Sequence, residues 1–407
     1  MTENNTPPEV VVIGGGYSGT LAANQLRMRG GWAMPHVTLV NPRPAFVERI
    51  RLHQVVAGGY DAAVDYRTVL GDGIELVVDT ATRIDAPARA VHLASGRRLR
   101  YDYLIYAVGS TAATPSSVPG VAEFAYPVAE LEQAQRLRKR LDELHPEAPV
   151  TVVGGGLTGI EVAGELAEQG RRVTLVCGGQ LAPMLSDRGR RSVARTLARL
   201  GVVVRAEDTV IEVRSDAVVF ADGAVRPTAV TVWAAGFAVP ELATASGLST
   251  DAIGRLRTDG TLTSVDDSRI VAAGDCAAPS TGALRMCCAT ASQLGPQAAD
   301  TVLSRIAGTE PAAATTRFVG NSCTSLGRHD GILQFGREDG PINVYLRGRI
   351  AAKFKEAVCR GTVWGLRRQA RRPGSARWFA GGSPPASPRA ATQRSQGESV
   401  AEVGRRS

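Results

Sequence analysis

Residues Val10–Gly19 read VVVIGGGYSG. The apolar run Val10–Ile13 predicts a short buried strand, and Thr20–Leu26 continues with the apolar period of a helix. Between them, Gly14, Gly16 and Gly19 stand at the spacing of a dinucleotide fingerprint. Each glycine answers a separate physical demand. Gly14 permits a tight turn, Gly16 leaves the backbone bare for a pyrophosphate, and Gly19 lets the helix lie close to the strand. The amides and positive dipole end of the helix then face the phosphates. The pattern recurs at Val150–Gly159, VTVVGGGLTG, where Gly154, Gly156 and Gly159 repeat the spacing. Glycine-rich turns are common, but two fingerprints one domain apart predict an α/β chain with two Rossmann-like dinucleotide-binding halves.

Composition narrows the function. The 407 residues, 44% hydrophobic and 21% charged, suit two or three globular domains. The net charge of +8 is unevenly placed. From Lys353 onward there are 12 basic and 3 acidic side chains, against 35 and 36 in the rest of the chain. A near-neutral body argues against nucleic acid as a partner, whereas the basic end suits an anionic surface. The cysteines, Cys177, Cys276, Cys287, Cys288, Cys323 and Cys359, form no CxxC pair, which suits reduced thiols in a cytosolic protein. The polar start MTENNTPPEV lacks an apolar signal core, and the longest charge-free stretch, Leu104–Ala122, is broken by Pro115 and Pro119. A cytoplasmic chain without a membrane span is expected.

Downstream, His36–Val40 predicts the second strand of the first unit. It ends on Asn41, where an acid usually holds the ribose; an amide oxygen still accepts one such bond. Arg49, Arg51 and His53 then either face a cofactor or form a solvated helix face. Short strands are expected at Ile74–Val78, Arg83–Ile84, Ala90–Leu93 and Arg98–Arg100, a strand with a glycine turn at Tyr101–Ser110, and a helix over Ala129–Leu144. In the second unit, Arg172–Val176 is the matching second strand. Cys177, Gly178 and Gly179 follow it, where an acid would repel the 2′-phosphate of NADPH, so the choice between NADH and NADPH stays open. Strands are expected at Val202–Arg205, Val210–Val213 and Ala217–Phe220, with Asp222-Gly223 as a hairpin turn. Val230–Gly236, VTVWAAG, and Arg269–Asp275, RIVAAGD, are further strands with glycine endings. A helix over Met286–Ala307 and a small sheet from Cys323–Phe335 and Pro341–Leu346 complete the body. Along Ile350–Trp364, Ile350, Phe354, Ala357, Val358, Gly361 and Trp364 share one helical face, with Lys355, Glu356 and Arg360 opposite. That stripe either packs on the body or meets an interface. From Gly381 the composition predicts disorder.

In chain order, GGGYSG, YAVGS, GGGLTGIEVAGEL, WAAGF and RIVAAGDCA resemble the two-dinucleotide-binding-domain flavoproteins, notably type II NADH dehydrogenases and apoptosis-inducing-factor-like oxidoreductases. The resemblance spans about residues 9–365. It implies FAD in the first unit and NAD(P)H in the second. Gly14, Gly16, Ser18 and Gly19 would take the FAD pyrophosphate, with Asn41, Arg51, Gly109, Gly274 and Asp275 along the rest of that cofactor. Gly154, Gly156 and Gly159 would take the nicotinamide nucleotide, with Gly236 at the return to the first unit. Glu161 would stand near nicotinamide and flavin as the catalytic residue; as a first-turn glutamate it also suits the helix dipole. Gln293 is what survives of a quinone-site motif, here CATASQLG at Cys288–Gly295, and marks an acceptor site. No cysteine precedes Cys177, so a redox CxxxxC after the first helix is absent and thiol–disulfide exchange by that route is excluded.

The implied domains are residues 1–115 and 237–318 for FAD, 116–236 for NAD(P), a C-terminal region at 319–380, and a tail at 381–407. The expected activity is NAD(P)H oxidation through FAD. Three acceptor readings stay open: a quinone reached by peripheral contact at the inner membrane face, a small molecule or redox protein in solution, or no fast acceptor, with the cofactor state controlling a partner.

Overall fold

The computed structural model describes residues 7–28, 34–282, 284–317, 320–337 and 340–375, so the tail expected from Gly381 lies outside the described residues. Its helices are α1 (Tyr17–Leu26), α2 (Leu52–Val56), α3 (Val121–Phe124), α4 (Leu131–Asp142), α5 (Leu157–Glu168), α6 (Asp187–Arg199), α7 (Leu242–Ala245), α8 (Cys288–Ile306) and α9 (Arg349–Arg371).

The opening apolar run becomes the strand Glu9–Ile13, with Val10 to Ile13 buried. It is the centre of a five-stranded parallel sheet, in the spatial order Ile270–Ala272, Tyr103–Tyr106, Glu9–Ile13, His36–Asn41, Ile74–Val78. Strands covered on both faces need no polar alternation, so they read as apolar runs. A second parallel sheet repeats the order with Ala125–Pro127, Val230–Trp233, Val150–Val153, Val173–Val176 and Val203–Arg205. In each, the strand carrying a glycine fingerprint lies between its successor and a strand returning from later in the chain. Such a switch point opens a crevice at the carboxyl ends of the strands.

Directly after the two glycine-ended strands, Thr111–Ala112 and Phe237–Ala238 pair antiparallel. The repeated endings YAVGS and WAAGF are thus the two sides of one ribbon between the sheets. Helix packing is set by missing side chains. A Cβ at Gly19 would sit 1.8 Å from the Gly14 carbonyl oxygen, and one at Gly295 would sit 2.3 Å from the Ser18 carbonyl oxygen, so α1 presses on its strand and α8 on α1. Buried amides tie in α9: Gln369 Nε2 donates to Gln25 Oε1 (2.6 Å), and Gln25 Nε2 donates to Asp300 (2.7 Å) on α8.

An antiparallel sheet of Ser322–Ser325, Gly331–Arg337 and Gly340–Arg347 leads into α9. This helix runs seven residues past Trp364. Its orientation rules out the first alternative given above, that the stripe packs on the body. Ala351, Cys359, Val363, Leu366 and Gln369 face inward, as does Lys355, whereas Ile350, Phe354 and Trp364 are 69%, 45% and 58% exposed. The apolar stripe is turned away from the body. Among the described residues, no helix is long and apolar enough to cross a membrane.

Two glycines should respond in opposite directions. Gly19→Ala should destabilise by at least about 2 kcal/mol, because the new methyl has only backbone to displace. Gly361→Ala, on the open side of α9 with nothing within 4 Å, should stabilise by about 0.5–1 kcal/mol. Urea midpoints of the two variants check both signs.

Candidate functional site

The two glycine turns are near copies. Gly14 (φ 101°) and Gly154 (φ 128°) occupy backbone that side chains avoid. A Cβ at Gly14 would lie 2.3 Å from the Ala107 oxygen, and one at Gly154 would lie 2.6 Å from the Ala234 carbonyl. At Gly159 it would meet the Gly154 oxygen at 2.0 Å, as Gly19 does Gly14. Gly16 and Gly156 differ from the rest: a Cβ there would meet nothing within 4 Å. Both are helix N-caps without a side-chain cap, so the first amides of α1 and α5 face open space beside a bare backbone. Such an end accepts anions. The middle glycines were not singled out in the sequence, yet Gly15 is fixed by contact with the Tyr66 hydroxyl and Gly155 by contact with the Gln180 carbonyl.

Polar groups gather beside the first turn. Asn41 is buried; its Oδ1 accepts from the Gly15 N–H (2.9 Å) and its Nδ2 donates to the Arg43 oxygen (2.8 Å). Tyr66 donates to the Gly15 oxygen (2.7 Å). Asp275 Oδ2 accepts from Ser110 Oγ (2.7 Å), while its buried Oδ1 has no hydrogen-bond partner among the described residues. Burial raises the Asp275 pKa, against the lowering effects of Ser110, Arg49 and the Cys287 backbone N–H. Arg49 donates from Nε to the Ala129 oxygen (2.9 Å), and its Nη1 would lie 3.5 Å from a Cβ at Gly109 (φ 72°).

The side chains of three expected site residues have partners within the protein. Ser18 gives its hydroxyl to the Ala291 oxygen on α8 (2.8 Å), and Gly274 packs against that hydroxyl. Arg51 is 3% exposed and held by both carboxylate oxygens of Glu356 on α9 (2.8 and 3.0 Å), by Gln54 (3.0 Å) and over the Tyr60 ring (4.6 Å). Gln293 clasps Arg317 through both ends of its amide, accepting from the Arg317 N–H (2.8 Å) and donating to its oxygen (3.1 Å). All three act as struts, because a buried polar group must find a partner and the nearest was protein. Gly236 (φ 81°) lies in the ribbon against Ala113. Beside the second turn, burial pushes the Cys177 thiol up to about 11, so the place of a ribose-binding acid is neutral.

Between the turns and α9 lies a buried polar cluster. Glu161 and Glu165 stand one turn apart on α5. Glu161 belongs to the second turn of that helix, not the first, so its environment is set by side chains more than by the helix end. Its Oε1 accepts from Lys355 Nζ (2.9 Å) and the Ser325 N–H (3.2 Å), and its Oε2 lies 3.5 Å from His53 Nδ1. His53 Nε2 is 3.3 Å from Ser325 Oγ and 3.9 Å from Glu165 Oε1. Glu165 Oε2 accepts from Arg328 Nε (3.0 Å). Burial pushes His53 down to about 4 and Glu165 up to about 7. Burial would also raise Glu161, but Lys355 and His53 hold it below its ordinary value. Lys355 is raised: burial opposes its charge and Glu161 outweighs that. The Glu161–Lys355 pair is therefore ionised inside the protein. The sequence places Lys355 opposite the apolar stripe without fixing which side faces the body, and Glu165 is not among its candidate residues. The available signal was two glutamates four apart within the apolar middle of a helix.

A family profile described as pyridine nucleotide-disulphide oxidoreductase matches residues 8–301. The NADH dehydrogenase-like protein MT1860 of Mycobacterium tuberculosis is 33% identical over 300 residues, covering 66% of this chain and 72% of that relative. The type II NADH:quinone oxidoreductase of Haemophilus influenzae is 28% identical over 330 residues, covering 66% and 73%. Among solved structures, the sulfide:quinone oxidoreductase of Aquifex aeolicus superposes with a TM-score of 0.76 at 21% identity, over 93% of this chain and 96% of that one. At that identity the likeness is one of fold.

The neutral His53 makes a pH prediction. Its folded value is lowered from 6.5 to about 4, so between these the unfolded chain binds a proton that the folded chain refuses, and stability falls as pH drops through that window. The raised Glu165 contributes with the opposite sign, but equally in both chains compared. Relative to wild type, His53→Gln should gain roughly 2–3 kcal/mol between pH 7 and pH 4.5. Urea unfolding at the two pH values measures this, and an unchanged difference would show that His53 is not held neutral.

Proposed function

The chain belongs to the pyridine nucleotide-disulphide oxidoreductase family, and from that premise we propose how its residues serve the reaction. It is an FAD-dependent NAD(P)H oxidoreductase. FAD, when bound, supplies the redox chemistry, taking a hydride from NAD(P)H and passing electrons to an acceptor. The first turn fits this cofactor. The uncapped amides of α1 and the open edge at Gly16 would hold its pyrophosphate, and the unpartnered Asp275 Oδ1 is an acceptor for a sugar-chain hydroxyl. Gly109 and Arg49 line the same side. Asn41 and Tyr66 keep the turn in shape. The second turn, with Gly154, Gly156, Gly159 and the start of α5, would hold the pyrophosphate of NAD(P)H. Glu161, kept ionised by Lys355, would set the charge where the two cofactors meet. The observation that carries this assignment is the pair of open turns, Gly16 and Gly156, with an orphaned carboxylate oxygen beside the first. On this reading residues 1–115 and 237–318 serve FAD, 116–236 serve NAD(P)H, and 319–380 form the acceptor side.

For the acceptor we assign a quinone, supported by the type II NADH:quinone oxidoreductase among the relatives. The outward stripe of α9 supports access to a quinone pool at an anionic membrane surface. Ile350, Phe354 and Trp364 are unburied, and the exposed Lys353, Arg360, Arg367, Arg368 and Arg371 belong to the same helix, with Arg368 over the Trp364 ring (5.3 Å). A basic residue near an anionic leaflet contributes about 1 kcal/mol, and salt screens it.

Three outcomes are expected. Gly16→Val should fold yet lose its flavin, because a Cβ there meets no protein atom within 4 Å and the side chain fills the open edge; full flavin content in the purified variant would overturn the first-turn assignment. Glu161→Gln should keep FAD while slowing flavin reduction by NAD(P)H in stopped-flow, and turnover with a quinone panel tests the acceptor. The wild-type protein should sediment with anionic vesicles at low salt, and Phe354→Ser with Trp364→Ser should release it without loss of stability. Absence of wild-type sedimentation would favour an acceptor in solution.

A further inference from the structure

Reducing a quinone to a quinol takes two electrons and two protons. A hydride carries both electrons and one proton, so one proton must come from water. The cluster on α5 offers a path for it. The Glu161–Lys355 pair is buried, whereas Arg328, at the other end, lines a cleft of about 450 Å³ with His329, Arg349, Lys353 and Glu356. Between them, among the described residues, stand Glu165 and His53, with the Ser325 hydroxyl 3.3 Å from His53 Nε2. Arg328 Nε to Glu165 Oε2 is 3.0 Å, Glu165 Oε1 to His53 Nε2 is 3.9 Å, and His53 Nδ1 to Glu161 Oε2 is 3.5 Å. Glu165 Oε1 is buried without a hydrogen-bond partner among the described residues and is the oxygen that faces the imidazole. Structural buried carboxylates normally satisfy both oxygens.

We propose that Glu165 and His53 pass protons from the cleft at Arg328 to the Glu161–Lys355 pair for reduction of the acceptor. This rests on the quinone reading above. In one transfer, made when the pair closes from 3.9 Å to hydrogen-bond distance, the Glu165 O–H bond breaks and its proton bonds to His53 Nε2. The His53 Nδ1–H bond then breaks and its proton bonds to Glu161 Oε2. No electrons move, the ring ends neutral, and Glu165 takes its next proton from water in the cleft. The Nδ1–H form returns between turnovers by ordinary tautomer exchange. An imidazole suits the middle position because it accepts on one nitrogen and releases from the other. His53 faces Glu161 and Glu165 from α5, Lys355 from α9, Arg328 from the loop after Ser325, and Arg51 from its own segment. Glu165 also faces Glu168. Burial keeps His53 neutral and leaves Glu165 able to hold a proton near neutrality. Both residues act through Glu161 and are positioning residues.

The test compares a proton-requiring acceptor with a proton-free one. In the flavin-loaded protein, Glu165→Gln and His53→Gln should each lower turnover with a short-chain ubiquinone by about tenfold or more, while ferricyanide turnover stays at the wild-type rate. Imidazole in the buffer should restore part of the His53→Gln rate. A parallel fall with both acceptors, or no fall with either, would overturn the relay. A second measurement needs no turnover. The ¹⁵N resonances of the His53 ring should move with a midpoint of about 7 in the wild type and stay flat in Glu165→Gln. If the wild type reduces ferricyanide but no quinone, the acceptor reading falls, and the ring titration alone decides whether His53 and Glu165 share a proton.

Discussion

The carbonyl oxygen of Gly14 lies where a side chain at Gly19 would begin, and the same contact recurs between Gly154 and Gly159. Only bare backbone permits it. The close approach draws the first turn of α1, and of α5, over the carboxyl end of the central strand. That places uncapped amides beside the open edges at Gly16 and Gly156. Sheet order, crevice and helix start all follow from one steric condition met twice. The condition extends outward, because α8 can rest on α1 only where Gly295 meets the Ser18 backbone.

A second constraint is electrostatic. Lys355 is buried against Glu161, and the neighbouring Glu356 receives the buried Arg51. Removing one partner of such a pair leaves a charge that water cannot reach, so the pairing fixes how α9 is turned about its axis. Its apolar stripe is displaced outward as a result. Hydrophobic burial alone would have turned the helix the other way, with Ile350, Phe354 and Trp364 inside. The charges won because their partners, Glu161 on α5 and Arg51 just before α2, are buried by the fold around them.

The struts show the same economy at smaller scale. Ser18 and Arg51, expected at the cofactor, each join two elements distant in sequence through their side chains, and Gln293, expected at the acceptor, holds the Arg317 backbone. Asn41 holds the Gly15 amide in place of a ribose. A polar side chain near a ligand crevice has two ways to satisfy its donors and acceptors. Residue type does not distinguish them, since the competing partner comes from another part of the chain.

The sequence by itself determined the two glycine turns, the parallel strands beside them and the edges of strands such as Ala90–Leu93 and Val210–Val213, because these depend on backbone freedom and on periodicity over a few residues. It also marked Asp275 and Glu161, through the resemblance of RIVAAGDCA and GGGLTGIEVAGEL to the flavoprotein family. Only the tertiary structure decided the rotation of α9, the ribbon joining Thr111–Ala112 to Phe237–Ala238, and the gathering of His53, Glu161, Glu165, Ser325 and Lys355. Those outcomes depend on which charges become buried together, and burial belongs to the assembled fold, since no window of sequence contains both partners.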